Sequence, residues 1–116
     1  MNATITRSEL NFKLLSATHP TLVEALPEKY YADKHLPNAL NIPHDQVDAL
    51  APTLLPNKSD EIVVYCDNKQ CQNSHIAARR LTLLGYTNVA VYPEGKQGWE
   101  DAGLPFDSVT NSTAEA

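Results

Sequence analysis

Apolar positions along the chain alternate between helical spacing and short, unbroken β-branched runs. From Ser8 to Ala17, Leu10, Leu14 and Ala17 recur at helical spacing behind Ser8, a residue type suited to capping. His19-Pro20 closes that segment, because the residue before a proline is pushed out of the helical region. Thr21 to Leu26 reads as a strand, and Pro27 opens a short helix to about Ala32. Ala39 to Ile42 is a second strand, stopped by Pro43. Asp45 is placed to cap a helix carrying Val47, Leu50 and Leu54, which Pro52 is expected to interrupt.

Glu61 to Cys66 is the clearest strand: its apolar run does not alternate, as expected of a parallel strand covered on both faces. Ser74 to Leu84 is the clearest helix, with Ile76, Ala77, Arg80, Leu81 and Leu84 along one side and Gly85 as its left-handed stop. Asn88 to Tyr92 forms another strand, and Glu94 to Gly98 a loop into a short helix around Trp99. Strands alternating with helices predict an α/β three-layer fold, a mainly parallel central sheet with helices on both faces. The expected domain runs from residue 1 to 107. Residues 108–116, small and polar, are expected to form a frayed tail.

Composition adds few constraints. In 116 residues, 42% hydrophobic and 20% charged, one domain can bury a real core. A net charge of -5 argues against broad nucleic-acid or anionic-membrane binding. The chain has no apolar run of membrane-spanning length and no export pattern at its N-terminus, so a cytoplasmic location is expected. Two cysteines, with no paired histidines at ligand spacing, make neither a disulfide scaffold nor a zinc site, and no cofactor is called for.

Thiol chemistry remains. Ligands in α/β sheets bind beyond the C-terminal ends of the strands, where Cys66 falls. The stretch Cys66-Asp67-Asn68-Lys69-Gln70-Cys71-Gln72-Asn73-Ser74 joins the best strand to the best helix without a hydrophobic anchor. Loop amides and the helix's first free amides, turned inward, would stabilise a Cys66 thiolate and hold the oxygens of an anionic donor, with Lys69 adding charge. The plainer alternative is that Cys66 is a buried strand end, a common place for free cysteine. Cys71 either resolves a Cys66 persulfide or sulfenate as a disulfide, or is an idle loop residue.

Four blocks carry a family resemblance. His35-Leu36-Pro37-Asn38-Ala39-Leu40-Asn41-Ile42-Pro43 resembles the rhodanese segment His-Ile-Pro-Gly-Ala-x-Asn-Ile-Pro, and Ile62 to Cys66 resembles the strand delivering that family's catalytic cysteine. Ala77-Ala78-x-x-Leu81-x-x-Leu84-Gly85-Tyr86-x-Asn88-Val89 and Gly95-x-x-x-Trp99-x-x-x-Gly103-Leu104-Pro105 are similar to its later blocks. The order is kept from about Ile5 to Asp107. The resemblance implies a sulfurtransferase in which Cys66 takes sulfane sulfur from thiosulfate or a persulfide. It then passes that sulfur to cyanide, a thiol or a sulfur-carrier protein, and Asp67 to Ser74 form the cradle.

Three features depart from the pattern: a cradle loop about two residues longer than in compact members, Glu24-Ala25-Leu26 in place of Asp-x-Arg, and the second cysteine. Among other residues, His35 reads as part of a turn, Trp99 as packing, and Arg79 and Arg80 as solvated helix charges or ion pairs, with reach to an anionic substrate as the alternative. His75 is a surface residue or a tuner of the thiolate. A phosphatase or arsenate reductase would want an arginine six residues after the cysteine, where Gln72 stands. A redox-sensing or partner-binding module using the Cys66/Cys71 pair is the other alternative.

Overall fold

The computed structural model describes residues 2–109. Its centre is β4 (Ile62–Tyr65), buried at all four positions because the pleat sends Ile62 and Val64 to one layer and Val63 and Tyr65 to the other. β2 (Thr21–Glu24) and β5 (Val89–Tyr92) flank it, with β3 (Leu40–Asn41) and β1 (Ala3–Thr4) outermost. The order is β1-β5-β4-β2-β3, and every pairing is parallel. Such a sheet must be covered on both sides. α3 (Val47–Leu54) and α4 (Asn73–Leu83) cover one face through Val47, Ala51, Ala77, Ala78 and Leu81. α1 (Arg7–Leu14), α2 (Glu28–Asp33) and α5 (Gly95–Asp101) cover the other through Leu10, Tyr31 and Trp99. Each fully buried aliphatic side chain in these layers contributes roughly 1.5–3 kcal/mol.

Several boundaries differ from the sequence reading, each for a local reason. α1 is capped by Thr6, not Ser8: the Thr6 hydroxyl accepts from the Glu9 amide and the Glu9 carboxylate accepts from the Thr6 amide. The helix therefore begins a residue early, and Ala17 lies exposed beyond its end. Asp45 caps nothing; Gln46 occupies the cap of α3 without a side-chain bond. Pro52 does not interrupt α3, since its ring is exposed and the amide bond it forfeits lies on the solvent side. On α4, Ile76 is 48% exposed and Arg80 faces solvent, while Ala78 and Ser74 turn inward. The inward stripe lies closer to the small residues than the sequence spacing indicated. Gly98, expected in a loop, lies within α5. In the expected tail, the Ser108 hydroxyl donates to the Ala32 carbonyl at 3.1 Å; residues 110–116 lie outside the described residues.

The topology opens one crevice. β2 and β4 are neighbours, yet α2 leaves β2 toward one face and α4 leaves β4 toward the other. Strand ends at such a reversal are not closed over by a crossing helix, which is why ligand sites of open parallel sheets sit there. Cys66, the residue after β4, stands at this point. Among the described residues, no helix is long and apolar enough to cross a membrane.

Candidate active site

Two sets of contacts define the position of Cys66. Beneath it, the first amides of α5 close on the end of β4: the Lys96 amide donates to the Cys66 carbonyl at 3.0 Å and the Gln97 amide to the Asp67 carbonyl at 2.9 Å. Gly95 makes this approach possible. Its φ is +63°, and a Cβ there would come within 2.5 Å of the Cys66 carbonyl oxygen. A buried polar cluster lies alongside. Glu24, fully buried at the end of β2, pairs with Lys96 Nζ at 2.9 Å and accepts from the Tyr65 hydroxyl at 2.8 Å. Tyr65 in turn accepts from the Leu36 amide, and Lys96 also donates to the Tyr30 carbonyl.

Burial pushes the Glu24 carboxyl above the usual carboxylate range, with Lys96 and Tyr65 working against that shift. Burial beside that carboxylate also drives the Tyr65 phenol well up, so it stays a neutral donor. Glu24 thus stands at the acid position of the resembled Asp-x-Arg segment, with Leu26 where the arginine would be, and its cation comes from α5. Glu24, Tyr65, Gly95 and Lys96 were not singled out as site residues in the sequence. A carboxylate amid the apolar residues of a central strand was the available sign that a buried partner existed.

Above Cys66, residues 67–72 turn back over the sulfur. The Asn68 side-chain oxygen accepts from the amides of Gln70 (3.0 Å) and Cys71 (3.2 Å), and the Asn68 carbonyl also accepts from Cys71. This turn places the Cys71 carbonyl 3.4 Å from Cys66 Sγ, where it accepts the thiol proton. Ser74, buried in the first turn of α4, brings its hydroxyl to 3.4 Å of the same sulfur and directs its amide at it.

Cys66 is 2% exposed, and its thiol is pushed up to about 11. Burial is the main cause, followed by the Cys71 thiol; the Ser74 hydroxyl and amide pull the other way. This differs from the expected stabilised thiolate. The expectation turned every loop amide inward, whereas Asn68 binds two of them and leaves a carbonyl facing the sulfur. An asparagine two residues before Gln70 was the sequence sign of that turn.

The structure brings Cys66, Cys71 and Ser74 together. Asp67, Lys69, Gln70 and Gln72 are exposed, while Asn68 and Asn73 are half-buried. Lys69 faces a cleft of about 270 Å³ that it shares with Arg7, Glu94 and Asp101. His35 is structural: its ring stacks on Tyr31 and its backbone pairs with Asp107. Trp99 packs in the core and donates to the Pro105 carbonyl.

A five-stranded parallel sheet delivering a cysteine from its central strand into a loop and helix start defines an α/β protein of the rhodanese type. A family model described as the rhodanese-like domain matches residues 8–102, and the chain belongs to that family. It is 36% identical over 104 residues to an HTH-type transcriptional regulator, Rv0324, of Mycobacterium tuberculosis, covering 89% of this chain and 44% of that protein. It is 34% identical to the Escherichia coli thiosulfate sulfurtransferase PspE, covering 69% of this chain and 70% of that one. The crystal structure of a Pseudomonas aeruginosa thiosulfate sulfurtransferase superposes with a TM-score of 0.80 at 28% identity, over 91% of this chain and 20% of that one. The chain thus spans less than half of the regulator and about a fifth of the Pseudomonas protein.

Proposed function

We propose that the protein is a sulfurtransferase in which Cys66 is the nucleophile and residues Asp67 to Ser74 form the cradle for the donor. The observation that carries this reading is the Cys66 sulfur at the end of the central strand with the Ser74 amide and hydroxyl directed at it. The Cys66 thiolate attacks the outer sulfur of thiosulfate or of a persulfide. The donor's S–S bond breaks, sulfite or a thiolate leaves with the electron pair, and Cys66 carries the persulfide. In the second step cyanide, a thiol or a sulfur-carrier protein takes the outer sulfur and the Cys66 thiolate returns.

The resting loop favours the neutral thiol, so donor binding has a defined task. An anionic donor competes with the Asn68 side chain for the amides of Gln70 and Cys71. As those amides turn inward, the Cys71 carbonyl leaves the sulfur and the thiolate is favoured. Gln72, sixth after Cys66, carries no charge with which to clamp a phosphoryl group, which favours sulfur over phosphoryl chemistry. Two free thiols suit a reducing, cytoplasmic setting.

The test is intact mass after incubation with thiosulfate or a persulfide donor, followed by peptide mapping. The wild type gains one sulfur atom on Cys66, and Cys66→Ser gains none. Sulfur mapping to Cys71 in the first step would overturn the assignment.

A further inference from the structure

The second thiol stands where it can act on the first. The turn at Asn68 folds Cys71 back, its amide held by both the carbonyl and the side chain of Asn68. Its carbonyl lies 3.4 Å from Cys66 Sγ, and its thiol is near enough to help push the Cys66 thiol up. Cys66 is buried and Cys71 half-buried, so Cys71 is the more accessible of the two thiols. In a Cys66 persulfide the inner sulfur is Cys66 Sγ itself, at the position strand β4 fixes. The outer sulfur occupies new space in the cradle. The atom that the Cys71 backbone already approaches is therefore the inner one.

We propose that Cys71 discharges the Cys66 persulfide by attacking its inner sulfur, releasing hydrosulfide and leaving a Cys66–Cys71 disulfide. The step rests on the persulfide reading above. It balances without an external oxidant. The bond between Cys66 Sγ and the outer sulfur breaks, and its electron pair departs with hydrosulfide, which takes the proton that Cys71 loses. The two cysteine sulfurs rise to the disulfide level while the sulfane sulfur falls to sulfide. Leaving-group chemistry points the same way: hydrosulfide is a weaker base than an ordinary cysteine thiolate and so the better leaving group. A dithiol reductant reopens the pair and is itself oxidised to a disulfide. The cycle is thus a dithiol-dependent reduction of sulfane sulfur to sulfide, an activity distinct from transfer to cyanide.

The test uses the wild-type chain, reduced, freed of reductant and given thiosulfate under anaerobic conditions without an acceptor. Expected are one sulfide per chain, a protein two hydrogens lighter than the reduced form, and a mapped Cys66–Cys71 disulfide peptide. Cys71→Ser, brought to its own loading plateau, retains its added sulfur and releases less than about a tenth of that sulfide. A wild type that keeps a stable Cys66 persulfide and releases no sulfide overturns the proposal and leaves the sulfurtransferase reading standing. Sulfur that migrates intact to Cys71 also overturns it, since that outcome means attack on the outer atom. If wild type and Cys71→Ser both take up no sulfur from thiosulfate or a persulfide donor, the sulfurtransferase reading fails and this one with it.

Discussion

Cys66 is held from two sides by opposite kinds of structure. Below, α5 approaches β4 through backbone hydrogen bonds, a glycine that admits no side chain, and a buried Glu24–Lys96–Tyr65 cluster. Above, the cradle loop is largely exposed and turns on the side chain of one asparagine. The lower side cannot move without leaving buried polar groups unpaired; the upper side exchanges its few hydrogen bonds with water or a ligand at little cost. Position is thus fixed by one region and reactivity by the other. Changes below should register in stability, and changes above in the chemistry of the thiol.

The largest effect is expected at Gly95. Gly95→Ala puts a methyl carbon against the Cys66 and Asp67 backbone at a left-handed φ, and neither strand end nor helix start has a flexible side chain that can yield. A loss of more than about 4 kcal/mol is expected in urea unfolding, enough to remove most of the stability of a domain this size. A fully folded Gly95→Ala would show that α5 shifts freely, and the contrast between the two sides would collapse.

Lys96→Met comes next. It leaves Glu24 buried without its cation, a type of change that costs about 3–4 kcal/mol. The lower part of the usual range applies because Glu24, already pushed up by burial, can take a proton instead. That makes the sign with pH definite. With Lys96 gone, the folded-state value of Glu24 rises further above its unfolded value. The variant is then most stable below the ordinary carboxylate range and loses stability as pH rises through the raised value. Chemical unfolding of Lys96→Met and of Glu24→Gln/Lys96→Met at two pH values checks this; the double variant should recover part of the loss and much of the pH dependence.

This contrast also sets what the sequence could reveal. β4 and its parallel environment were readable because Ile62-Val63-Val64-Tyr65 has no polar face, and the place of Cys66 followed from that strand alone. The four motif blocks were readable because each keeps its residues in register. The grip of α5 was not. Glu24 and Lys96 are 72 positions apart, and only the closed sheet brings them together. Gly95 was readable only as a member of a motif block, because its requirement arises from a backbone that arrives from β4. The loop was readable as a loop, yet its direction depended on whether Asn68 or a ligand binds two amides. Residue types alone do not decide that competition.

Asn68→Ala is expected to lower stability by about 1 kcal/mol or less, since the lost hydrogen bonds are in an exposed turn. Its effect on the thiol should be larger. The wild-type Cys66 thiol, held at about 11, should be alkylated faster as pH rises from neutral through the alkaline range, because only the thiolate reacts. Freeing the amides of Gln70 and Cys71 lets them turn toward the sulfur, which lowers that value. Each unit of decrease multiplies the thiolate fraction at neutral pH about tenfold. Iodoacetamide labelling of Cys66 followed by mass across pH should therefore shift to lower pH in Asn68→Ala. An unchanged profile would mean that the loop's resting turn does not govern reactivity.

The smallest effect tests whether α4 transmits anything to the site from its far end. Arg80 makes two hydrogen bonds of 2.6 Å to the Asp48 carboxylate, tying α4 to α3 at the surface, and this pairing holds Asp48 below the usual carboxylate value. Both side chains are about half exposed, so water and salt screen the pair and its contribution is small despite good geometry. A carboxylate with a lowered folded-state value contributes its stability above the unfolded value and loses it as pH falls through the folded one. Arg80→Ala should therefore shift Tm only slightly at neutral pH and low salt, and not measurably in high salt or in acid. Sulfur loading on Cys66 should be unchanged, because Ser74 is placed by the buried face of α4, through Ala77, Ala78 and Leu81, and not by its exposed one. A slowed loading in Arg80→Ala would mean that the helix start is set from a distance, and that the cradle is less independent of the scaffold than its contacts imply.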